Sequence, residues 1–143
     1  MSRNWIRENP AVWDERKQEV IGGAPDGAFA LDDYQLGKDL PGEWWRVEED
    51  GRTVGYGWLD TTWGDAEILL AVAPSEQRRG VGSYILERLE QEAVAAGLNY
   101  MDNAVRATHP DGAGVTAWLL KRGFEPADEG RLRRRVGGAA TAS

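Results

Sequence analysis

The sequence predicts an α/β domain built on a mixed sheet, with an antiparallel strand meander, a parallel pair of central strands and helices on both faces. Three observations predict it. Residues 43 to 74 hold three successive apolar runs of strand length with no helical period. Two helical stretches then alternate with two further strand-like runs, the order that builds a parallel crossover. No repeat or internal linker interrupts the 143 residues, a length suited to one core without metal or disulfide staples. Residues 1–136 are expected to form a single domain, and 137–143, "GGAATAS", a disordered tail.

Each element has its own signal. "NPAVWDERKQEV" offers Asn9 as a cap, Pro10 for the first turn and apolar Val12, Trp13 and Val20, predicting a helix that ends at Gly22-Gly23. "APDGAFALDDYQLGKDLPG" reads mostly as loop, with a short strand at 28–31. In "EWWRVEEDGRTVGYGWLDTTWGDAEILLAVAP" three strands follow, the first two joined at Glu49-Asp50-Gly51 by an Asp-Gly hairpin signal. "VGSYILERLEQEAVAAG" places Ile85, Leu86, Leu89, Ala93 and Val94 at helical spacing and closes on Gly97. "LNYMDNAVRA" is a strand, "PDGAGVTAWLLKRG" a helix capped by Asp111, and "RLRRRV" the last strand. The strand near 98–107 follows a helical crossover, so it lies parallel to the strand at 67–73.

Composition narrows the function. The net charge of −7 argues against nucleic acid as a partner. Arg131, Arg133, Arg134 and Arg135 crowd the last strand, so the acidity belongs to the body of the chain and suits a cationic amine partner. Without cysteine there are no disulfides, no thiolate nucleophile and no cysteine-ligated metal; no metal is expected, and the cytoplasm is the default compartment. No apolar run approaches the roughly 20 residues that span a bilayer, and "MSRNWIRENP" lacks a signal-peptide core, so no membrane partner is expected. A homodimer is left open.

The most informative stretch is "QRRGVGS" at 77–83, where a strand hands over to a helix. Such a loop exposes unpaired amides at the positive end of a helix dipole, and glycines let a phosphate approach the backbone. Gly80 and Gly82 open that approach, Ser83 adds a hydroxyl, and Arg78 and Arg79 add charge suited to a diphosphate. The loop lacks the Lys-Ser/Thr ending of a P-loop and the three-glycine dinucleotide fingerprint.

Gln77, Gly80 and Gly82, preceded by "LLAVAP" and followed some forty residues later by "LKRGFEP", resemble the central motif, strand and helix-ending Gly-Phe of the GNAT superfamily of acyl-CoA-dependent N-acyltransferases. The resemblance runs from about Arg52 to Val136 and is faint over the first fifty residues. It implies a splay between the strands at 67–73 and 99–107 that holds the pantetheine of acetyl-CoA or another acyl-CoA. Pantetheine amides would pair with the backbone around Leu70, Ala71 and Val72, and the pyrophosphate would take the amides from Arg78 through Val81 and Gly82 to Ser83. The implied activity is transfer of an acetyl or other short acyl group to a primary amine of a small molecule or peptide by direct attack, without an acyl-enzyme.

Glu67 is the expected base, because the resemblance puts a carboxylate near the start of the central strand where certain histone acetyltransferases carry theirs. The acid departs from the pattern. Four residues before Gly123, where many members have Tyr, stands Leu119. The only histidine, His109, in the loop after the parallel strand, is the expected substitute, with Tyr84 and Tyr100 as further candidates. Among seven tryptophans, "YGWLDTTWGDAE" interleaves Tyr56, Trp58 and Trp63 with Asp60, a pattern suited to a cationic acceptor. Leu119 also leaves a second reading, a CoA-binding sensing or interaction module with weakened catalysis.

Overall fold

The computed structural model describes residues 3–8, 11–20, 42–73, 76, 80–104, 112–127 and 131–136. Their elements are β1 (Arg3–Glu8), α1 (Glu15–Val20), β2 (Glu43–Glu49), β3 (Arg52–Thr62), β4 (Asp65–Val72), α2 (Val81–Ala95), β5 (Tyr100–Ala104), α3 (Gly112–Leu120), β6 (Glu125–Pro126) and β7 (Arg131–Arg135). The strands form one seven-stranded sheet in the order β1-β2-β3-β4-β5-β7-β6. All neighbours are antiparallel except β4 and β5. This is the mixed sheet that the element order predicts.

The meander forms where the turn chemistry allows it. Asp50 and Gly51 have φ of 52° and 79°, the left-handed pair that a two-residue hairpin needs to match strand twist. The next hairpin turns at Trp63-Gly64 in the same conformation, with φ of 53° and 82°. Strand β1 is a correction to the sequence reading, which leaves residues 1–8 unassigned. Its charges obscure the alternation, yet they are satisfied across the strand pair: Arg3 with Glu49, and Arg7 with Glu43 at 2.9 Å. Trp5, between them, stacks on Trp45 at 5.4 Å.

The first helix also begins later than predicted. Val12 makes an isolated bridge, Trp13 is buried, and Asp14 caps the helix by accepting from the Lys17 N–H at 2.8 Å. Asn9 and Pro10, the expected start, lie outside the described residues, as do the short strand expected at 28–31, Asp111, and the tail at 137–143. The two-residue β6 was not anticipated; it is too short to show a period.

Helix α2 covers one face of the sheet. Ile85, Leu89 and Ala93 are fully buried with Val47, Ile68 and Met101. Two glycines in β3 make the seat: a Cβ on Gly57 would lie 2.7 Å from Trp5 and 3.0 Å from Ile85, and one on Gly55 would lie 2.8 Å from the Ala71 carbonyl. Val94, assigned above to the buried stripe, is exposed, because it falls one step round the helix past Ala93. On the opposite face Trp13, just before α1, packs against Trp44, Tyr56 and Ala71. Lys17 is 0% exposed within that cluster. Its ammonium pairs with Glu8 and Asp14 and lies 5.6 Å and 5.0 Å from the ring centres of Trp44 and Tyr56.

Candidate functional site

Where β4 and β5 meet, the register pairs Ala66 with Met101 and Glu67 with Asp102, and no further pair follows among the described residues. One residue on, the Asn103 side-chain amide donates to the Ile68 carbonyl at 2.8 Å, standing in for a ladder bond at the point of separation. That bond also orients β4. Backbone groups alternate sides along a strand, so those of Leu70 and Val72 point the same way as the Ile68 carbonyl, into the space where no strand of the described residues pairs with β4. Ala71 points the other way, in register with Tyr56 of β3, and its side chain lies in the α1-side cluster.

That space is bounded on its far side by the start of α2. Gly80 is the N-cap, in a left-handed conformation with φ of 82° that favours glycine, and it brings no side chain to the amides it precedes. No acid stands in the first turn of the helix. The Tyr84 N–H returns to the Gly80 carbonyl at 3.0 Å, which leaves the N–H groups of Val81, Gly82 and Ser83 as the helix's own free donors. A Cβ on Gly82 would meet Trp118 at 3.4 Å, Val72 at 3.8 Å and Leu70 at 4.0 Å, so α2, α3 and β4 converge on this glycine. Gln77, Arg78 and Arg79 lie outside the described residues. Arg3, which the sequence reading passed over, is carried here by β1: its Nη1 is 3.8 Å from the open Cβ position of Gly80.

At the other end of the splay, Glu67 is 33% exposed and sits beside Asp102, which is 13% exposed. Arg131 of β7 reaches both carboxylates, with Nη1 2.9 Å from Asp102 Oδ1 and Nη2 3.6 Å from Glu67 Oε2. Burial pushes the Asp102 carboxyl above the ordinary value of 3.8; Arg131 opposes that rise, Asp65 adds to it, and Arg133 opposes it. Asp102 and Arg131 were not singled out from the sequence, because only the parallel register brings residue 102 beside residue 67.

Of the other predicted residues, Asp60 pairs in register with Glu67 and is exposed, and Trp58, opposite Leu69, is half-buried. Tyr56 is 2% exposed, its ring against the Lys17 ammonium, and burial pushes its phenol up. Trp63 is 98% exposed at the hairpin tip, at the end of β4 remote from Gly80. His109 lies outside the described residues. Leu119 is in the core at 3% exposure, Tyr84 turns toward Trp5 and Arg3, and Tyr100 lies under the Arg133 guanidinium at 3.8 Å. Among the described residues no cluster of His, Cys, Asp or Glu could hold a metal, and no helix is long and apolar enough to cross a membrane.

The fold that carries this site is shared with known proteins. No curated protein sequence matches. Among solved structures, the chain is similar to the ribosomal-protein-S18-alanine N-acetyltransferase from Escherichia coli (20% identity, TM-score 0.52, 65% of this chain and 68% of that one). It is also similar to N-acetylglutamate synthase from Neisseria gonorrhoeae complexed with coenzyme A and N-acetyl-glutamate (25% identity, TM-score 0.56, 65% of this chain and 25% of that one). A third is the GNAT superfamily phosphinothricin acetyltransferase from Sinorhizobium meliloti in complex with AcCoA (17% identity, TM-score 0.52, 66% and 61%). A family model described as Acetyltransferase (GNAT) family matches residues 4–124, reaching back through β1 beyond the resemblance seen from Arg52 onward, and the chain belongs to that family.

Proposed function

We propose that this protein transfers an acetyl or other short acyl group from acyl-CoA to a primary amine of a small molecule or peptide, as a single domain over residues 1–136 acting in the cytoplasm. One observation carries the reading: among the described residues the backbone of Leu70 and Val72 has no strand partner on the β5 side, and the start of α2, where Val81, Gly82 and Ser83 have N–H groups that the helix itself does not use, lies against the same two residues at Gly82. An extended amide-bearing chain ending in a diphosphate matches that arrangement. Its amides extend the sheet from β4, and its phosphates lie at the positive end of α2, joined by Gln77, Arg78 and Arg79.

The acyl carbon would then lie beyond Leu70, toward Ile68 and Glu67. A neutral amine attacks it, a C–N bond forms, and the C–S bond breaks. In this reading Glu67 accepts the proton the amine loses, directly or through water, and Arg131 holds its carboxylate in place. Trp58 and Asp60, on the same sheet face as Glu67, are the nearest members of the acceptor side; Tyr56 and Trp63 flank it at greater remove. His109 protonates the departing thiolate, and His109→Ala should slow transfer while CoA affinity holds. Release of free CoA thiol across a panel of amines, polyamines, amino acids and peptides tests the whole reading, which fails if no amine is acylated.

A second reading has one observation in its favour. Leu119 is buried in the core at the position where the family pattern places Tyr. A chain that binds CoA yet acylates nothing in that panel is a sensing or interaction module.

A further inference from the structure

We infer that the Asn103 side chain closes the apex of the splay and restricts the acyl donor to short chains such as acetyl and propionyl; the inference rests on the acyl-CoA reading above. Among the described residues β4 and β5 pair only at Ala66–Met101 and Glu67–Asp102. The next carbonyl on that side of β4, from Ile68, takes its hydrogen bond from the Asn103 side-chain amide at 2.8 Å. Asn103 can span the gap because its own strand is fixed from behind: β5 pairs with β7, and Asn103 stands opposite Leu132. Its place in the strand pattern is unusual. Side chains alternate along a strand, so residue 103 shares the inward phase of fully buried Met101, where an apolar residue would pack. Asparagine is disfavoured in strands, and this one is half-buried with its amide committed to Ile68.

The bond sets a length limit. With the pantetheine amides along Leu70 and Val72, the acyl group reaches the level of Ile68, where the Asn103 amide stands. Ile68 and Met101, on the two strands that part, are fully buried in the apolar core, so neither side chain can replace the amide as a donor. An acetyl or propionyl group stops short of the amide. A longer chain enters the space that the amide fills and must swing it off the carbonyl. Ile68 is then left with an acceptor and no donor, because methylene groups offer none. An unpaired buried acceptor costs more than the burial of one methylene contributes. Asn103 therefore reads chain length at the acyl end and is indifferent to the phosphate end of the cosubstrate.

Titration calorimetry of the full chain with CoA, acetyl-CoA, butyryl-CoA and hexanoyl-CoA, in wild type and Asn103→Ala, tests this and needs no acceptor amine. Wild type should bind butyryl-CoA and hexanoyl-CoA about 10- to 100-fold more weakly than acetyl-CoA. Asn103→Ala removes both the amide and its bulk, so the ratio of butyryl-CoA to acetyl-CoA affinity should rise by about 10-fold or more. A wild type that binds all three thioesters equally overturns the restriction, whether or not the variant folds. An equal ratio in wild type and Asn103→Ala also overturns it and leaves Asn103 as a strut between strands. Should Asn103→Ala not fold, Asn103→Ser is read by the same ratio, since its hydroxyl is too short to bridge the gap. A folded wild type that binds neither CoA nor acetyl-CoA overturns the acyl-CoA reading itself.

Discussion

Gly82→Glu is expected to remove the response to CoA while leaving the fold intact, and the two effects can be sized separately. A Cβ at residue 82 meets Trp118 at 3.4 Å and Val72 and Leu70 at 3.8 Å and 4.0 Å, all ordinary contacts, so the substitution fits. It also suits the helix. Replacing glycine within a helix gains roughly 0.5–1 kcal/mol, and an acid in the first turn gains about 0.3–1 kcal/mol against the dipole. The ligand-free variant should therefore melt at or above the wild-type temperature. With CoA at a hundredfold excess over Kd, linkage stabilises the wild type by about 2.7 kcal/mol, which for a chain of 143 residues is a Tm rise of roughly 9 °C. A carboxylate about 5 Å from one phosphate charge, at an effective dielectric of about 20, costs on the order of 3 kcal/mol, roughly 150-fold in Kd. The same CoA concentration then sits below the new Kd, and the shift shrinks to about 1 °C. Thermal melts by circular dichroism, with and without CoA, measure all four states. A wild type whose melt ignores CoA refutes the cofactor site, and a variant that shifts as much as wild type refutes its location at Gly82.

Glu67→Gln keeps the shape of the side chain and removes its proton affinity, so turnover should fall by roughly 10²-fold with CoA binding retained; an unchanged rate would make Glu67 merely the second partner of Arg131. Gly57→Ala should lower stability in urea by roughly 1–3 kcal/mol, because its Cβ would meet Trp5 and Ile85 within 3.0 Å and force α2 off its seat; a neutral result would mean that the helix shifts freely. Asp102→Asn should match wild type in stability at low pH and gain on it as pH rises from 3.8 through the raised folded value of the buried carboxyl, since the wild type must ionise that group against its burial. A difference that stays flat or reverses with pH would show that Arg131 outweighs the burial.

The parts of the fold set by local chemistry could be read from the chain. Asp50-Gly51 dictates its turn by backbone conformation, and Ile85, Leu89 and Ala93 dictate a helix face by period. Strand β1 could not be read this way, because Arg3, Arg7 and Glu8 mask an alternation that is satisfied only once β2 supplies Glu43 and Glu49. The helix start moved from Asn9 to Asp14 for a related reason: Trp13 is drawn into a cluster with Trp44 and Tyr56, far away in sequence, and local capping rules contain no such term. At the candidate site the glycine loop was visible as a motif. The Asp102–Glu67 neighbourhood depends on register, and the Asn103–Ile68 bond on where two strands part, so neither leaves a trace in local spacing.

The burial of Lys17 has a consequence for chemical self-damage. Acyl-CoA thioesters are electrophiles that modify any exposed neutral amine, and a protein that holds one at high occupancy is the first amine donor they meet. This chain has lysine only at positions 17, 38 and 121, against fourteen arginines, whose guanidinium groups stay protonated and do not attack carbonyls. With the Lys17 ammonium enclosed between Glu8, Asp14 and two aromatic rings, the described residues offer acyl groups a single side-chain amine, at exposed Lys121. Positive charge is thus supplied almost wholly in a form inert to thioesters, so in the proposed transfer an acceptor amine would meet little competition from the side chains of the described residues.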